Sequence, residues 1–156
     1  MYFERISKDL DVAPLLSALR DEPERWQDIT LRQAPGSPHR DTETIFLRGP
    51  KPGPDPFNEL VSVAMPTAEG VIGWATEDLF AAIDLHIAEL GRVMVVRLKP
   101  GGAIDRHSDE GVYAAHFSRF HVALQSDDGN TFTCGDRTIH MQVGECWWFD
   151  HRAEHT

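Results

Sequence analysis

Cysteine is nearly absent from this 156-residue chain. Only Cys134 and Cys146 occur, too few for a disulfide framework and without the C-x-x-C spacing of a thiolate metal site. Two reduced thiols buried in strands are expected. Long apolar runs are missing as well. No segment approaches the ~18 apolar residues of a membrane-spanning helix, and the charged N-terminus, Met1 to Asp9, lacks the ~7–15-residue apolar stretch of a secretory signal. These absences predict a cytoplasmic protein with no membrane partner. Positive charge is the third scarcity: 15 Lys and Arg stand against 25 Asp and Glu, a net charge of -10 with neutral His. Such a field repels phosphate backbones and anionic lipid, so nucleic acid is excluded as a general partner. What is present is 41% hydrophobic and 26% charged residues, the composition of one globular domain spanning 1–156. The eight His and four Trp are the counts that invite a chemical reading.

The pattern along the chain changes partway. Asp11 can cap a short helix in which Pro14 sits in the first turn and Leu15, Leu16 and Leu19 share a side. Pro23 to Trp26 reads as a further turn. Ile29 to Arg32 and Thr44 to Arg48 read as short strands around a Pro/Gly/Ser loop, and the Pro- and Gly-rich stretch Gly49 to Pro56 reads as a loop at the rim of a pocket. Thr76 as N-cap, with Leu79, Ile83, Ile87 and Leu90 at helical spacing before Gly91, predicts a second helix with His86 on its apolar side as a packing residue. From Arg92 the apolar period becomes two: RVMVVRL, SRFHVALQ, TFTC, RTIHMQV and ECWWF, separated by PGG, DDGN, GD and Gly144. Short strands with tight turns predict an antiparallel barrel or jelly roll. The expected fold is therefore mainly β with flanking helices, its N-terminal part (about 1–91) helical and its β-roll core at about 92–156.

His107 and Asp109 stand two apart after a glycine turn. On a strand such residues project from one face with Cα atoms ~6.5–7 Å apart, so imidazole and carboxylate can converge on one ion while Ser108 points away. A second histidine is needed. His155 follows the ECWWF strand and stands 46 residues after Asp109, enough chain for a meander to bring it back. Two imidazoles and one carboxylate on one side of a metal leave the other side open, the arrangement of non-haem Fe(II) oxygenases. In SRFHVALQ, Arg119, His121 and Ala123 share one strand face and Phe120, Val122 and Leu124 the other. A guanidinium beside an imidazole suits the bidentate grip of a carboxylate.

Together, LKPGGAIDRHSDEG, SRFHVAL and VGECWWFDHRAEH resemble the aspartyl/asparaginyl β-hydroxylase family of Fe(II)- and 2-oxoglutarate-dependent oxygenases, whose relatives include proline hydroxylases. The likeness covers about Arg92 to Thr156. It implies a double-stranded β-helix (a cupin-like jelly roll) with iron on His107, Asp109 and His155. His121 is implied to lie against the 2-oxoglutarate carboxylate, with Arg119 reaching toward the substrate's acid group and His116 in a loop that touches substrate. It places the metal ligand at His155 rather than the nearby His151. The family also carries an arginine beyond the distal histidine that holds 2-oxoglutarate; here the expectation is that a C-terminal strand past Thr156 bears it, or that Arg97 or Arg119 takes its place. The implied activity is hydroxylation of a C–H bond in an amino acid, an aspartyl/asparaginyl-type residue or a related small acid, with O2 as co-reactant and a small-molecule or peptide substrate carrying a carboxylate. Trp147, Trp148 and Phe149 would line or underlie the site, and His140 is expected at the surface. The alternatives are a metal cupin of other chemistry, which usually presents H-x-H followed by a Glu strand not seen here, and a non-catalytic roll that binds a small acid.

Overall fold

A computed structural model describes residues 1–156. Eight strands form three antiparallel sheets. One sheet has the order β1 (Phe3–Ser7), β8 (Cys146–Phe149), β5 (Arg119–Val122). The second has β3 (Ser62–Ala64), β2 (Thr42–Pro50), β4 (Val93–Leu98), and the third is a hairpin of β6 (Phe132–Cys134) and β7 (Arg137–Ile139). Helices α1 (Ala13–Asp21), α2 (Val71–Ala81) and the short α3 (Val112–His116) flank them. The molecule is thus mainly β, as the period-two C-terminal half requires.

Each of the five C-terminal segments of period two contains a strand, and Thr44 to Arg48 lies within β2. The N-terminal part is less helical than expected. It supplies β1, which pairs with β8 through Phe3 opposite Phe149 and Arg5 opposite Trp147, and β2, which pairs with β4 through Ile45 opposite Val95. The Ile29 to Arg32 strand does not form; Leu31–Gln33 is a single 3-10 turn with Leu31 exposed. Four residues ahead of a Pro-Gly pair are too few to hold an extended edge without a partner.

The first helix behaves as read: Asp11 Oδ1 accepts from the Ala13 backbone at 3.0 Å, and Leu15, Ala18 and Leu19 are buried. The second starts and ends earlier than its spacing predicts. Thr76 is not a cap but an interior residue whose hydroxyl bonds to the Ile72 carbonyl at 2.8 Å. The helix buries Ile72, Ala75, Thr76 and Leu79, whereas Ile87 and Leu90 are exposed and His86 lies outside it. A helix of this length is held by the face it buries, and past Ala81 there is no face to bury.

The larger core joins α1, the turn carrying Trp26, α2, and one face of β2 and β4, with Leu15, Leu19, Ile45, Leu47, Ile72 and Val95 at its centre. A smaller core of Phe3, Cys134 and Phe149 ties the β6–β7 hairpin to the first sheet. Both cysteines are free and buried, and burial pushes the Cys146 thiol up to about 11. Gly144 shows why its turn needs glycine: φ is +80°, and a Cβ there would sit 2.7 Å from the Leu10 carbonyl oxygen. The Pro-rich loop before β3 is pinned by Arg92, whose Nη2 donates to the carbonyls of Pro56 at 2.8 Å and Phe57 at 3.0 Å while its guanidinium lies over the Tyr113 ring.

Candidate metal centre

The backbone brings the two distant stretches together. His107 and His155 form an antiparallel bridge, exchanging N–H···O bonds of 3.0 and 2.8 Å. Two residues further along, and out of that register, the Asp109 amide donates to the His151 carbonyl at 2.9 Å. On the other side, Thr156 and Thr133 exchange two bonds of 2.9 Å, which seats the chain end on the β6–β7 hairpin. Residues 107–109 therefore run alongside residues 151–155, and the His-x-Asp pair meets His155 because the backbones pair.

The side chains converge accordingly. Ligand atoms of His107, Asp109 and His155 all lie within 4.8 Å of one another. His107 Nε2 is 4.0 Å from Asp109 Oδ1, too far for a hydrogen bond. It is close enough for both atoms to reach one ion at the ~2.0–2.2 Å typical of nitrogen and oxygen ligands. Each imidazole is set in one tautomer by its own backbone: His107 Nδ1 lies 2.7 Å from the Asp105 carbonyl and His155 Nδ1 3.0 Å from the Ala153 carbonyl. A carbonyl can only accept, so Nδ1 carries the proton and Nε2 offers its lone pair. His107 Nε2 is buried and without any hydrogen-bond partner in the chain. A buried acceptor that the protein leaves unpaired is the local signature of a site built for a cation.

At His155 and His121 the surroundings disfavour the protonated imidazole. Burial, opposed by the Ala153 hydrogen bond and reinforced by His107, lowers the proton affinity of His155. His121 stands on β5 facing the same side as Arg119, stacked on Phe132 at 5.3 Å and tilted against Phe149 at 4.7 Å between ring centroids. The residue is exposed, while its ring packs between Phe132 and Phe149. Burial first, then the Arg119 charge, pushes it down to about 4. Phe132 and Phe149 also approach the His155 ring edge-on, at 6.0 and 5.1 Å, so the aromatic expected from the ECWWF strand lies under the site.

Arg119 has a partner within the chain. Its Nε lies 2.5 Å from Asp109 Oδ2, a close ion pair rather than an aligned hydrogen bond. The carboxylate thus presents Oδ1 toward the histidines while Oδ2 is held by the guanidinium. His116 stands apart from the cluster: its Nε2 is 3.1 Å from Glu89, its ring packs on Phe117, and it lines a separate cavity of ≈ 120 Å³ with Asp150 and His151. His151 is buried with Nε2 on the Ala114 carbonyl at 2.8 Å and does not join the three. Arg97, considered above as a cosubstrate cation, is engaged elsewhere, 2.5 Å from Glu43 and stacked 4.2 Å over Trp26. His140 is partly exposed, with Nδ1 2.5 Å from the Asn130 carbonyl.

Two neighbours went unread in the sequence. His39 meets His107 edge-on at 4.7 Å and is driven down to about 3 by burial and by the nearby Arg32 charge. Arg32 is itself lowered to about 10 by burial and by Arg119. His39 sits in the Pro/Gly/Ser loop and Arg32 at the end of the stretch read as a strand, and no spacing ties either to the His-x-Asp pair.

A mainly-β chain that gathers two imidazoles and one carboxylate beside packed aromatic rings has the makings of a metal-dependent enzyme. The model of the family described as aspartyl/asparaginyl beta-hydroxylase matches residues 75–156, just over half of the chain, and the protein belongs to that family. Membership implies a hydroxylase. No curated protein and no solved structure matched the chain in the corresponding searches.

Proposed function

We propose that this protein is an Fe(II)- and 2-oxoglutarate-dependent dioxygenase that hydroxylates a C–H bond of an amino acid, an aspartyl/asparaginyl-type residue or a related small acid. The observation that carries the reading is the His107, Asp109 and His155 group with both Nδ1 atoms tied to carbonyls and His107 Nε2 buried without a partner. The donor set suits iron: two nitrogens and one oxygen, no thiolate, and a single carboxylate rather than the several that magnesium or calcium would draw. The chemistry such a centre supplies when bound is oxygen-dependent hydroxylation coupled to conversion of 2-oxoglutarate into succinate and carbon dioxide.

The chain's own part is holding, orienting and excluding water. His107, Asp109 and His155 would hold the metal, and Arg119 fixes which oxygen of Asp109 faces it. His121, neutral at pH 7, can donate one ring N–H to a carboxylate of the cosubstrate. Arg119 keeps further N–H groups for an acid group of the substrate. Phe132 and Phe149 pack against His121 and His155 and keep that wall dry. In this reading the two three-stranded sheets belong to a double-stranded β-helix. His116, paired with Glu89 at the surface, is kept as a contact for an extended substrate rather than for the metal.

Anaerobic titration of the protein with Fe(II) and then 2-oxoglutarate tests the proposal. The expected result is a weak visible charge-transfer band that needs both additions and saturates at one equivalent of metal. Tight metal binding with no band and no response to 2-oxoglutarate would point to a different metal-dependent β-fold chemistry.

A further inference from the structure

Arg32 is a cation near the centre that has no carboxylate partner within the chain. It occupies the 3-10 turn Leu31–Gln33 and sends Nη1 to the Met94 Sδ, 3.4 Å away. Met94 lies on the face of β4 opposite Val93 and Val95, which enter the helical core. Arg32 therefore lies on the hollow side of the second sheet. No carboxylate of the chain pairs with it, whereas Arg119 has Asp109, Arg97 has Glu43, Arg5 has Glu145 and Arg40 has Asp105. It is near enough to Arg119, Asp109, His39 and His121 for their charges to act on one another. In the same turn and loop, Gln33 Nε2 and His39 Nδ1 are buried and make no hydrogen bond within the chain.

The loop that carries these groups is anchored beside the metal-binding stretch. Asp105 donates its amide to the Pro38 carbonyl at 3.0 Å, Arg40 pairs with the Asp105 carboxylate, and Asp41 Oδ2 accepts from the Ala103 amide at 3.2 Å. Residues 38–41 are thereby stitched to residues 103–105, two positions before His107. His39 then packs edge-on against His107.

Charge counting says what fits. Among Arg32, Arg119 and Asp109 the cations outnumber the anion by one in an otherwise strongly acidic protein, and a divalent metal would add two. Three carboxylate charges restore neutrality: a dicarboxylate together with one further acid group. An unpaired guanidinium in a partly desolvated hollow is costly unless an anion joins it.

We propose that Arg32, with Gln33 and His39 beside it, forms a carboxylate-binding wall of this site, gripping an acid group of the cosubstrate or of the primary substrate. The assignment rests on the functional reading above and names a ligand-binding residue beyond those of the C-terminal motifs. Arg32 is a binding residue and takes no proton in the reaction.

The test uses the full chain loaded with Mn(II) without oxygen, followed by calorimetry or tryptophan fluorescence, so that no turnover is needed. The probes are 2-oxoglutarate, 2-oxopentanoate (which lacks the distal carboxylate), L-aspartate and L-asparagine. Arg32→Gln is expected to weaken one acid by about 10- to 100-fold, the range for losing a charge-assisted pair. Arg32→Lys keeps the charge but not the fork and is expected to lose about tenfold or less. Weakened 2-oxoglutarate with unchanged 2-oxopentanoate assigns Arg32 to the cosubstrate's distal carboxylate. Unchanged 2-oxoglutarate with weakened aspartate or asparagine assigns it to the primary substrate. If the wild type binds these acids and the Lys and Gln variants, with unaltered circular dichroism, bind all of them equally well, the Arg32 proposal is overturned and the functional reading survives. If the metal-loaded wild type binds none of the acids, both fail together.

Discussion

Asp109 serves two partners, so removing its charge should register twice. In the metal-free chain its carboxylate is the counter-ion of Arg119 at 2.5 Å, with the two side chains 19% and 27% exposed. Asp109→Asn keeps the shape and leaves the guanidinium half-buried without an anion. A bond to a charged group contributes about 1.5–3 kcal/mol when buried; partial exposure reduces that to about 1–2 kcal/mol here, a fall in Tm of about 2–8 °C for a domain of this size. The same substitution removes the only anionic ligand, so Fe(II) affinity should drop by more than about 100-fold, beyond the loss typical of groups that merely support ligands. His107→Ala separates the two effects. It leaves the Asp109–Arg119 pair intact and gives up the Nδ1 bond to the Asp105 carbonyl and the ring contact with His39, so the metal-free chain should lose about 1–2 kcal/mol while Fe(II) affinity falls comparably. Urea denaturation with a chelator present measures stability, and anaerobic Fe(II) titration against a competing chelator measures affinity. The double variant Asp109→Asn/Arg119→Gln should recover about 1 kcal/mol relative to the sum of the singles. An Asp109→Asn chain that melts like wild type without metal and binds Fe(II) within tenfold of it would refute both roles.

Further expectations follow from the same contacts. His39 and His121 are held neutral well below the ordinary histidine range, near 3 and 4. The unfolded chain therefore takes up protons that the folded chain refuses as pH falls from about 6.5 toward 4. The metal-free protein should lose stability over that window, His39 alone contributing at most about 1.4 kcal/mol per pH unit. The loss should shrink in His39→Asn; a stability profile flat between pH 6.5 and 4.5 would contradict the burial argument. Away from the metal, Glu145 collects donors from Arg5 at 2.7 Å, Trp147 Nε1 at 2.9 Å and the Gln142 amide at 2.9 Å. Burial works against its ionisation, but these bonds together hold the carboxyl below the usual range. Glu145→Gln points an NH2 at a donor and should cost about 1–3 kcal/mol in urea denaturation, leaving Fe(II) affinity alone. A change under about 0.5 kcal/mol would mean the network is decorative.

The parts of this protein written in short-range pattern were legible. Period two marked β4 through β8 because alternate residues on a strand face opposite ways. The two-residue spacing of His107 and Asp109 placed both on one side for the same reason. His155 was reachable by counting strands. The N-terminal strand β1 escaped notice because its pattern, FERIS, is half charged; it is extended because β8 lies beside it, with Phe3 against Phe149. The α2 helix misled in the opposite sense, since Ile87 and Leu90 continue its helical spacing but remain exposed.

Residue types, their local spacing and the charge balance alone specify a β-rich domain with two imidazoles and a carboxylate available for a metal. Which other groups surround that metal was decided only by the folded chain. Arg32 and His39 reach the site because residues 38–41 are stitched to residues 99–105 by backbone and side-chain bonds. Arg119 turns to Asp109 because pairing of β5 with β8 sets it there. Such contacts join positions tens of residues apart, and no local period records them: their energy depends on burial and on which charges share a hollow, quantities that exist only once the sheets have assembled.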